Sequence, residues 1–326
     1  MNLCMEECAG NLYLLLMKPR YRNFIVIIFL PVFYGCSSYI QRTVWQSLEK
    51  IGESVPLPPH MIAIPVLQNV KLSVSWAGHA TVLIQMYDKI IITDPLFTNT
   101  IGMVVKRFVK SGLDPSLLTH IDFTLISHMH FDHLSYGSLD MLPKNGTLLI
   151  PYGIARYVPD FNFNKTEELQ PWEFIENDSV RVTAVPAQHF TGRYGFDRDW
   201  MGDIGYTGYV VEYRGVVVFF AGDTGYKSEF FKEIGRRFKI DLAIIPIAPS
   251  SGIGLGSQVH VGPLGALTIF KDVGAAFMMP IHFGTMLFGS TANPNSPLEQ
   301  LRSIAASEGI AHRIIGLEIG EQRILY

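Results

Sequence analysis

Apolar residues from about residue 70 onward fall into short β-branched runs separated by turn residues, the pattern of buried β-strands. Strands are predicted at residues 70–76, 80–86, 89–93, 123–127, 147–151, 180–186, 207–213, 216–221, 242–246, 275–281 and 318–325. The corner Tyr213-Arg214-Gly215 is predicted to join the strands at 207–213 and 216–221 as a tight hairpin. Helices are predicted among them at residues 115–118, 135–141, 154–158, 228–238, 262–273 and 296–308. Strands followed by helices across two halves predict an α/β fold with two packed sheets and helices outside.

Several predicted strands end in the same way, because a histidine or aspartate follows within about two residues. The residues concerned are Asp94, His189, Asp223, His282 and the segment His128-Met129-His130-Phe131-Asp132-His133. Strand ends that converge on one edge bring distant residues together, as binding loops do on α/β scaffolds. Imidazoles and carboxylates gathered in this way predict a metal site, and hence an enzyme.

The segment from His128 to His133 carries the strongest local signal. On an extended turn His128 and His130 point the same way and can share one ion, whereas Asp132 and His133 turn toward a second. An alternative for Asp132 is capping of the helix predicted near Ser135, but capping does not account for three histidines. Alone, His189 and His282 would be core histidines, and Asp94 and Asp223 turn residues. Together they complete the coordination that the first segment leaves open.

Composition narrows the chemistry. The chain has 326 residues with 48% apolar residues, 17% charged residues and a net charge of -3. This balance gives no case for nucleic-acid binding, which requires a basic face. The cysteines are Cys4, Cys8 and Cys36, so a chain processed at Cys36 offers no thiolate and its metal ligands are nitrogen and oxygen only.

Residues 1–36 are predicted to be an N-terminal extension and signal segment rather than part of the fold. Basic residues Lys18, Arg20 and Arg22 precede an apolar run of about ten residues at 24–33, which suits a signal peptide but not a membrane span of about 20 residues. Gly35-Cys36-Ser37-Ser38 is similar to a bacterial lipoprotein cleavage site, with Cys36 as the lipidated residue. Because the signal is more usual from Met17, residues 1–16 are expected to be an upstream extension. The alternative is an uncleaved anchor at 24–33.

Residues 37–69 are predicted to form a tether and lead-in with a short helix at 44–51. Residues 70–326 form the predicted folded domain. The sequence is compatible with a monomer or a homodimer.

The ordered set of histidines and aspartates resembles the signature of the metallo-β-lactamase superfamily over residues 70–326. Within it, the chain is most similar to the N-acyl-phosphatidylethanolamine-hydrolysing phospholipase D family. The similar segments are GHAT (78–81), TDP (93–95), PAQH (186–189), AGDTGY (221–226), FKEIGRRF (231–238) and IHFGT (281–285).

The resemblance implies an αββα sandwich that binds two zinc ions, with iron or manganese as alternatives for such ligands. His128, His130 and His189 would bind the first ion, Asp132, His133 and His282 the second, and Asp223 would bridge them. Asp94 would orient ligands from outside the coordination sphere, and His79 would lie near the site. His260 would contact the substrate phosphate or assist proton transfer; the alternative is a solvated loop histidine. Asp132, Asp223 and His260 are therefore the expected catalytic residues.

The implied activity is a phosphodiesterase of phospholipase D type that uses a metal-bridging hydroxide. Its substrate would be N-acylphosphatidylethanolamine or a related phospholipid. The alternative is hydrolysis of another bond, such as a lactone, a thioester or a cyclic nucleotide phosphodiester. The chain departs from the family in the Gly/Ser-rich loop 249–257 and at Gly262, which leaves the substrate open. Lipidated Cys36 followed by Ser37 would place the protein on the periplasmic face of a Gram-negative outer membrane.

Overall fold

The structure is a computed structural model that describes residues 52–101, 105–194, 197, 202–248, 258–286, 293 and 295–326. The signal segment with Cys36, the helix predicted at 44–51 and the loop 249–257 lie outside the described residues. Across the described ranges, helices that combine the length and apolar character needed to cross a membrane are absent.

Strands are numbered here in chain order. They are β1 (Leu72–Gly78), β2 (Thr81–Met86), β3 (Lys89–Thr93), β4 (Thr100–Ile101), β5 (Val105–Lys106), β6 (Phe123–Leu125), β7 (Thr147–Pro151), β8 (Lys165–Leu169), β9 (Phe174–Asn177), β10 (Val180–Val185), β11 (Gly208–Tyr213), β12 (Val216–Phe220), β13 (Leu242–Pro246), β14 (Phe277–Ile281) and β15 (Gln322–Ile324). The α-helices are α1 (Tyr136–Asp140), α2 (Ser228–Arg237), α3 (Pro263–Asp272) and α4 (Ser296–Ser307). Short 3₁₀ helices occupy Pro115–Leu117, Ala155–Tyr157 and Ala311–Arg313.

Two mixed sheets carry the fold, and a small ribbon pairs β4 with β5. The first sheet has the order β15-β1-β2-β3-β6-β7-β8, and the second has the order β14-β13-β12-β11-β10-β9. Helices α2, α3 and α4 pack on the second sheet, where α3 contacts β13. Helix α1 packs on the outer face of the first sheet through Leu139. The predicted αββα layering is therefore confirmed.

The inner strands of the first sheet, β1, β2, β3, β6 and β7, are buried on both faces, so their apolar side chains alternate between two clusters. In β2, Val82 and Ile84 point into the cluster between the sheets, whereas Leu83 joins the cluster under α1. In β6 and its extension, Leu125 faces the inner cluster and Ile126 the outer one. This double burial explains why these strands appear in the sequence as continuous apolar runs.

The direction of the strands explains why the chemistry collects at one edge of each sheet. Strands β1, β3 and β6 run in the same direction, because two antiparallel steps separate β1 from β3 and β3 pairs parallel with β6. In the second sheet β10, β12, β13 and β14 share a direction for the same reason. The residues that follow these strand ends are His79, Asp94, His128, His189, Asp223 and His282.

Most predicted elements are confirmed, with shifted ends. The first strand begins at Leu72 rather than at residue 70, and the last covers only Gln322–Ile324. The predicted hairpin between β11 and β12 is confirmed, and its turn residues Arg214 and Gly215 have φ of 48° and 79°, as type I′ turns require. The helices predicted at 115–118 and 154–158 are short 3₁₀ turns instead.

Strands β8 and β9 were missed by the sequence prediction. Both lie at the outer edge of a sheet. β8 buries only Leu169, and β9 buries none of its residues. An edge strand with polar side chains lacks the apolar pattern on which strand prediction depends.

The described part of the lead-in contacts the folded domain. Ile62 is buried, and its N–H donates to the carbonyl of Gly112 over 2.8 Å. Gly320 has φ of 92°, and a Cβ at this position would lie 1.8 Å from the carbonyl oxygen of His60. Only glycine lets the chain before β15 approach the lead-in this closely.

Candidate metal centre

A tight turn after β6 arranges the first histidine segment. The N–H groups of His133 and Leu134 both donate to the carbonyl of His130, over 3.1 and 2.9 Å. The segment is also fixed to the second sheet, because His128 forms a β-bridge with Tyr206. Its histidines and aspartate therefore face the loops that follow β10, β12 and β14.

One group of donor atoms consists of His128, His130 and His189. Nε2 of His128 lies 2.7 Å from Nδ1 of His130, and Nε2 of His189 lies 3.5 Å from that same atom. The three donor atoms all lie within 4.8 Å of one another. Each sheet contributes to this group, since His128 and His130 follow β6 and His189 follows β10.

A second group consists of His79, Asp132, His133 and His282, whose donor atoms also lie within 4.8 Å of one another. Oδ2 of Asp132 is 3.0 Å from Nε2 of His79, 3.5 Å from Nε2 of His133 and 3.7 Å from Nε2 of His282. Asp132 does not cap α1, whose N-cap residue is Ser135. The structure thus places His79 beside Asp132, in contact with an expected ligand.

Asp223 lies between the two groups. It forms one donor set with His128 and His133 and another with His189 and His260. Its Oδ2 is 3.1 Å from Nε2 of His282 and 3.3 Å from Nε2 of His133. Asp223 therefore contacts histidines of the second group and shares donor sets with histidines of both groups.

Gly222 allows Asp223 to come this close to the histidine segment. Its φ is 61°, and a Cβ there would lie 2.6 Å from Cβ of Ser127. A larger residue would push the loop after β12 away from the loop after β6. The glycine in AGDTG is therefore a requirement of the site's geometry.

The ring nitrogens that face away from the centre have fixed partners. Nδ1 of His133 lies 2.7 Å from Oδ2 of Asp94, Nδ1 of His189 lies 2.8 Å from the carbonyl of Val259, and Nδ1 of His282 lies 2.9 Å from the carbonyl of Ala248. Donation of the Nδ1–H to each of these oxygens leaves Nε2 as the metal-facing donor. Asp94 itself accepts the N–H of Ser127 at 2.7 Å and its hydroxyl at 2.6 Å.

The protonation states of the first group and of the two aspartates favour binding of a cation. Burial lowers the pKa of His130 to about 4 and holds the pKa values of His128 and His189 well below the ordinary range, so these rings are neutral. Burial raises the pKa values of Asp132 and Asp223, but the neighbouring histidines lower them by more than burial raises them. Both pKa values therefore lie well below the ordinary value, and both carboxyls are ionised. Neutral imidazoles and carboxylates are the ligand forms that metals need.

The pKa values of His133 and His282 are raised instead of lowered. Burial lowers the pKa of His282, but Asp223 and Asp132 outweigh that effect and raise it to about 9. The same carboxylates, with Asp94, raise the pKa of His133 well above the ordinary value despite burial. The negative charge of the site thus attracts protons to these rings, and a metal cation would take their place.

The residues fit a metal ion. Oδ1 of Asp223 is buried and has no hydrogen-bond partner within the part of the chain that the structure describes. Such atoms carry a desolvation cost of about 1–3 kcal/mol each unless a ligand satisfies them. A nitrogen and oxygen donor set of this kind suits zinc, iron or manganese.

His260 lies at the edge of the centre rather than in a solvated loop. Its side chain is only 19% exposed, and its Nδ1 is 3.7 Å from Oδ2 of Asp223. Its ring also stacks on that of His282, with centroids 5.9 Å apart.

Ser127 also belongs to the site but was not predicted from the sequence. Its hydroxyl contacts Oδ2 of Asp94 at 2.6 Å and Nδ1 of His128 at 2.9 Å. Its position directly before His128 is the only sequence signal for it.

Comparison with known families matches residues 89–283 to the beta-lactamase superfamily domain. The chain belongs to this superfamily. A metal-dependent hydrolase of Methanoregula boonei is 32% identical over 219 residues, which cover 66% of this chain and 83% of that one. N-acyl-phosphatidylethanolamine-hydrolyzing phospholipase D 1 of Caenorhabditis elegans is 28% identical over 273 residues, covering 76% of this chain and 74% of that one.

Solved structures share the fold at lower identity. An isothiocyanate hydrolase from Delia radicum gut bacteria superposes with a TM-score of 0.61 at 18% identity, and covers 78% of this chain and 99% of that one. Membership of the superfamily and the clustered donors together make this chain a metal-dependent hydrolase with a His/Asp metal-binding site.

Proposed function

We propose that the chain is a di-zinc phosphodiesterase of phospholipase D type, acting on N-acylphosphatidylethanolamine or a related phospholipid. The observation that carries the proposal is the pair of adjacent donor groups joined at Asp223. Phospholipase D relatives in Caenorhabditis elegans and Saccharomyces cerevisiae, each 28% identical, support the choice of substrate. The chain spans 74% of the first relative and 51% of the second.

His128, His130 and His189 would hold one ion, Asp132, His133 and His282 the other, and Asp223 would contact both. Bound there, the ions would supply a Lewis acid for the phosphoryl oxygens and lower the pKa of water at the site. Asp94 contacts Nδ1 of His133 and so keeps the imidazole of His133 oriented. His79 holds Oδ2 of Asp132 at 3.0 Å, so the carboxylate keeps one direction during turnover.

In the proposed reaction, water adds its oxygen to phosphorus and the bond from phosphorus to the alcohol oxygen breaks. The products are phosphatidic acid and an N-acylethanolamine. Water loses a proton as its oxygen binds phosphorus, and we propose that the neutral His260 accepts this proton and passes it to the departing alcohol oxygen. Burial lowers the pKa of His260 despite the nearby Asp223, and its partial exposure leaves it accessible to a substrate.

The second candidate function is hydrolysis of a different bond by the same centre. It is favoured by the isothiocyanate hydrolase with the same fold, since one fold serves several reactions. The Gly/Ser-rich composition of the loop 249–257, where the chain departs from the phospholipase D family, also supports it.

A substrate panel separates the two candidates. We expect the zinc-loaded full-length chain in detergent to release phosphatidic acid from N-acylphosphatidylethanolamine, measured by mass spectrometry. A cyclic nucleotide and an acyl lactone serve as the competing substrates at equal concentration. Cleavage of the lactone with zinc bound and no turnover of either phosphodiester would contradict the phosphodiesterase proposal.

We further propose that lipidated Cys36 anchors the protein to the periplasmic face of a Gram-negative outer membrane. Replacing Cys36 with alanine is expected to move most of the protein from the membrane fraction to the soluble fraction. The variant cannot be lipidated, and each acyl CH₂ that is no longer buried in the bilayer weakens membrane binding by about 0.8 kcal/mol. Ser38→Ala is the control, because it alters the mature chain close to Cys36 but keeps the cysteine, and it should leave the distribution unchanged. Membrane association that persists in Cys36→Ala would instead favour an anchor at residues 24–33.

A further inference from the structure

A buried arginine connects the loop that carries His189 to the turn that carries the other first-group ligands. Arg193 follows His189 by four positions and is only 8% exposed. Its Nη1 donates to the carbonyl of Met129 and to the carbonyl of Leu134, both over 2.9 Å. Those carbonyls lie near the two ends of the segment from His128 to His133.

The guanidinium is also held between two aromatic rings. Its Cζ lies 4.2 Å from the centroid of Phe131 and 4.2 Å from the centroid of Tyr136. Phe131 belongs to the ligand-bearing segment, and Tyr136 begins α1 just after it. A planar, weakly hydrated cation is suited to such a position, and a lysine ammonium cannot stack and donate in the same geometry.

The backbone of Arg193 is fixed as firmly as its side chain. Its N–H donates to both carboxylate oxygens of Asp197, over 3.0 and 2.9 Å, and the N–H of Tyr194 donates to Oδ1 at 2.9 Å. Asp197 is fully buried. Burial raises its pKa, but these backbone donors outweigh that effect and hold it below the ordinary value. The loop therefore has its own anchor, independent of any metal.

These contacts join the two halves of the first donor group. His128 and His130 stand on the first sheet's loop, whereas His189 stands on the second sheet's loop. Nε2 of His189 lies 3.5 Å from Nδ1 of His130, close enough for the three histidines to share an ion. Arg193 lies on the same loop as His189 and is hydrogen-bonded to the turn that carries His128 and His130.

We propose that Arg193 is a positioning residue for the metal centre, which sets the distance between His189 and the His128–His133 turn. It touches neither substrate nor metal and acts through the carbonyls of Met129 and Leu134. The proposal rests on the metal centre of the proposed function and is independent of which bond the enzyme cleaves.

Arg193→Lys tests the proposal without a substrate. We expect zinc affinity, measured by chelator competition on the full chain, to fall about 10- to 100-fold, as for other residues that orient metal ligands. We also expect the visible absorption spectrum of the cobalt-substituted protein to change, because it reports ligand geometry. A loss of phosphodiester turnover alone would leave this result unaffected, so the two proposals fail separately.

Arg107→Lys is the matched control. Arg107 is also buried and donates to backbone carbonyls, to Leu96 from Nη1 over 2.6 Å and to Val109 from Nε over 3.1 Å. Neither carbonyl belongs to a ligand-bearing turn. We expect this variant to lower the melting temperature while the zinc affinity and cobalt spectrum stay as in the wild type.

Two results would overturn the proposal. One is wild-type affinity and spectrum in Arg193→Lys, and the other is an equal loss of affinity in Arg107→Lys, which would indicate general destabilisation. If Arg193→Lys does not fold, Asp197→Asn decides instead, because it loosens the backbone anchor and keeps the guanidinium. An altered cobalt spectrum in Asp197→Asn supports the positioning role, and an unaltered spectrum refutes it.

Discussion

Replacing Asp223 with alanine is expected to abolish most hydrolysis, by about 10³-fold or more. Asp223 takes part in two donor sets, and its Oδ2 approaches both His133 and His282. If Asp223 is the ligand common to both groups, as proposed, its loss removes several kcal/mol of charge stabilisation in the transition state. Turnover and bound metal should be measured on the same sample, the metal by elemental analysis.

Asp178→Asn is the control for the loss of a carboxylate. Asp178 lies in the turn between β9 and β10, and its side chain is 72% exposed. This variant should keep both the activity and the metal content of the wild type. Metal content and turnover in Asp223→Ala that stay within twofold of the wild type would show that Asp223 does not bridge.

Trp76→Ala is expected to lower the free energy of unfolding by about 3–5 kcal/mol, as for other large aromatic residues removed from a core. Trp76 is buried in β1, with its ring centroid 4.6 Å from that of Phe283. Its Nε1–H donates to the carbonyl of His79 over 3.0 Å, and that carbonyl also accepts the N–H of His282. The cavity would therefore open directly beneath two residues of the metal centre.

Denaturant unfolding of the metal-free protein measures this effect. Phe174→Ala is the matched aromatic control, because Phe174 is 55% exposed on the edge strand β9, and it should cost less than about 1 kcal/mol. Trp76→Phe keeps a ring against Phe283, so its loss of unfolding free energy should lie between the losses in Trp76→Ala and Phe174→Ala. An unfolding free energy of Trp76→Ala within 1 kcal/mol of the wild type would contradict this account of the core.

Prediction of the fold from sequence worked where burial leaves a pattern. The apolar runs of β2, β3, β7 and β13 are recognisable because both faces of these strands are covered. The edge strands β8 and β9 were missed because their side chains are mostly exposed and carry no such pattern. The hairpin between β11 and β12 was found because Gly215 provides the positive φ that its turn needs.

The same limit applies to the site. Metal-binding residues could be predicted from the sequence, because His128, His130, Asp132 and His133 lie together within one short segment. Arg193 and Ser127 could not be found in this way. Their roles depend on contacts with the carbonyls of Met129 and Leu134 and with the carboxylate of Asp94, which spacing along the chain does not reveal.

By itself, the sequence determined the layered α/β fold and the types of side chain that gather at the strand ends, because both follow from local patterns of apolar and polar residues. Only the tertiary structure decided how those side chains pair. It placed Asp223 between two donor groups, His79 against Asp132 and the guanidinium of Arg193 beneath the histidine turn. Such contacts join the ends of strands from two different sheets, and the packing of those sheets fixes the distances between them.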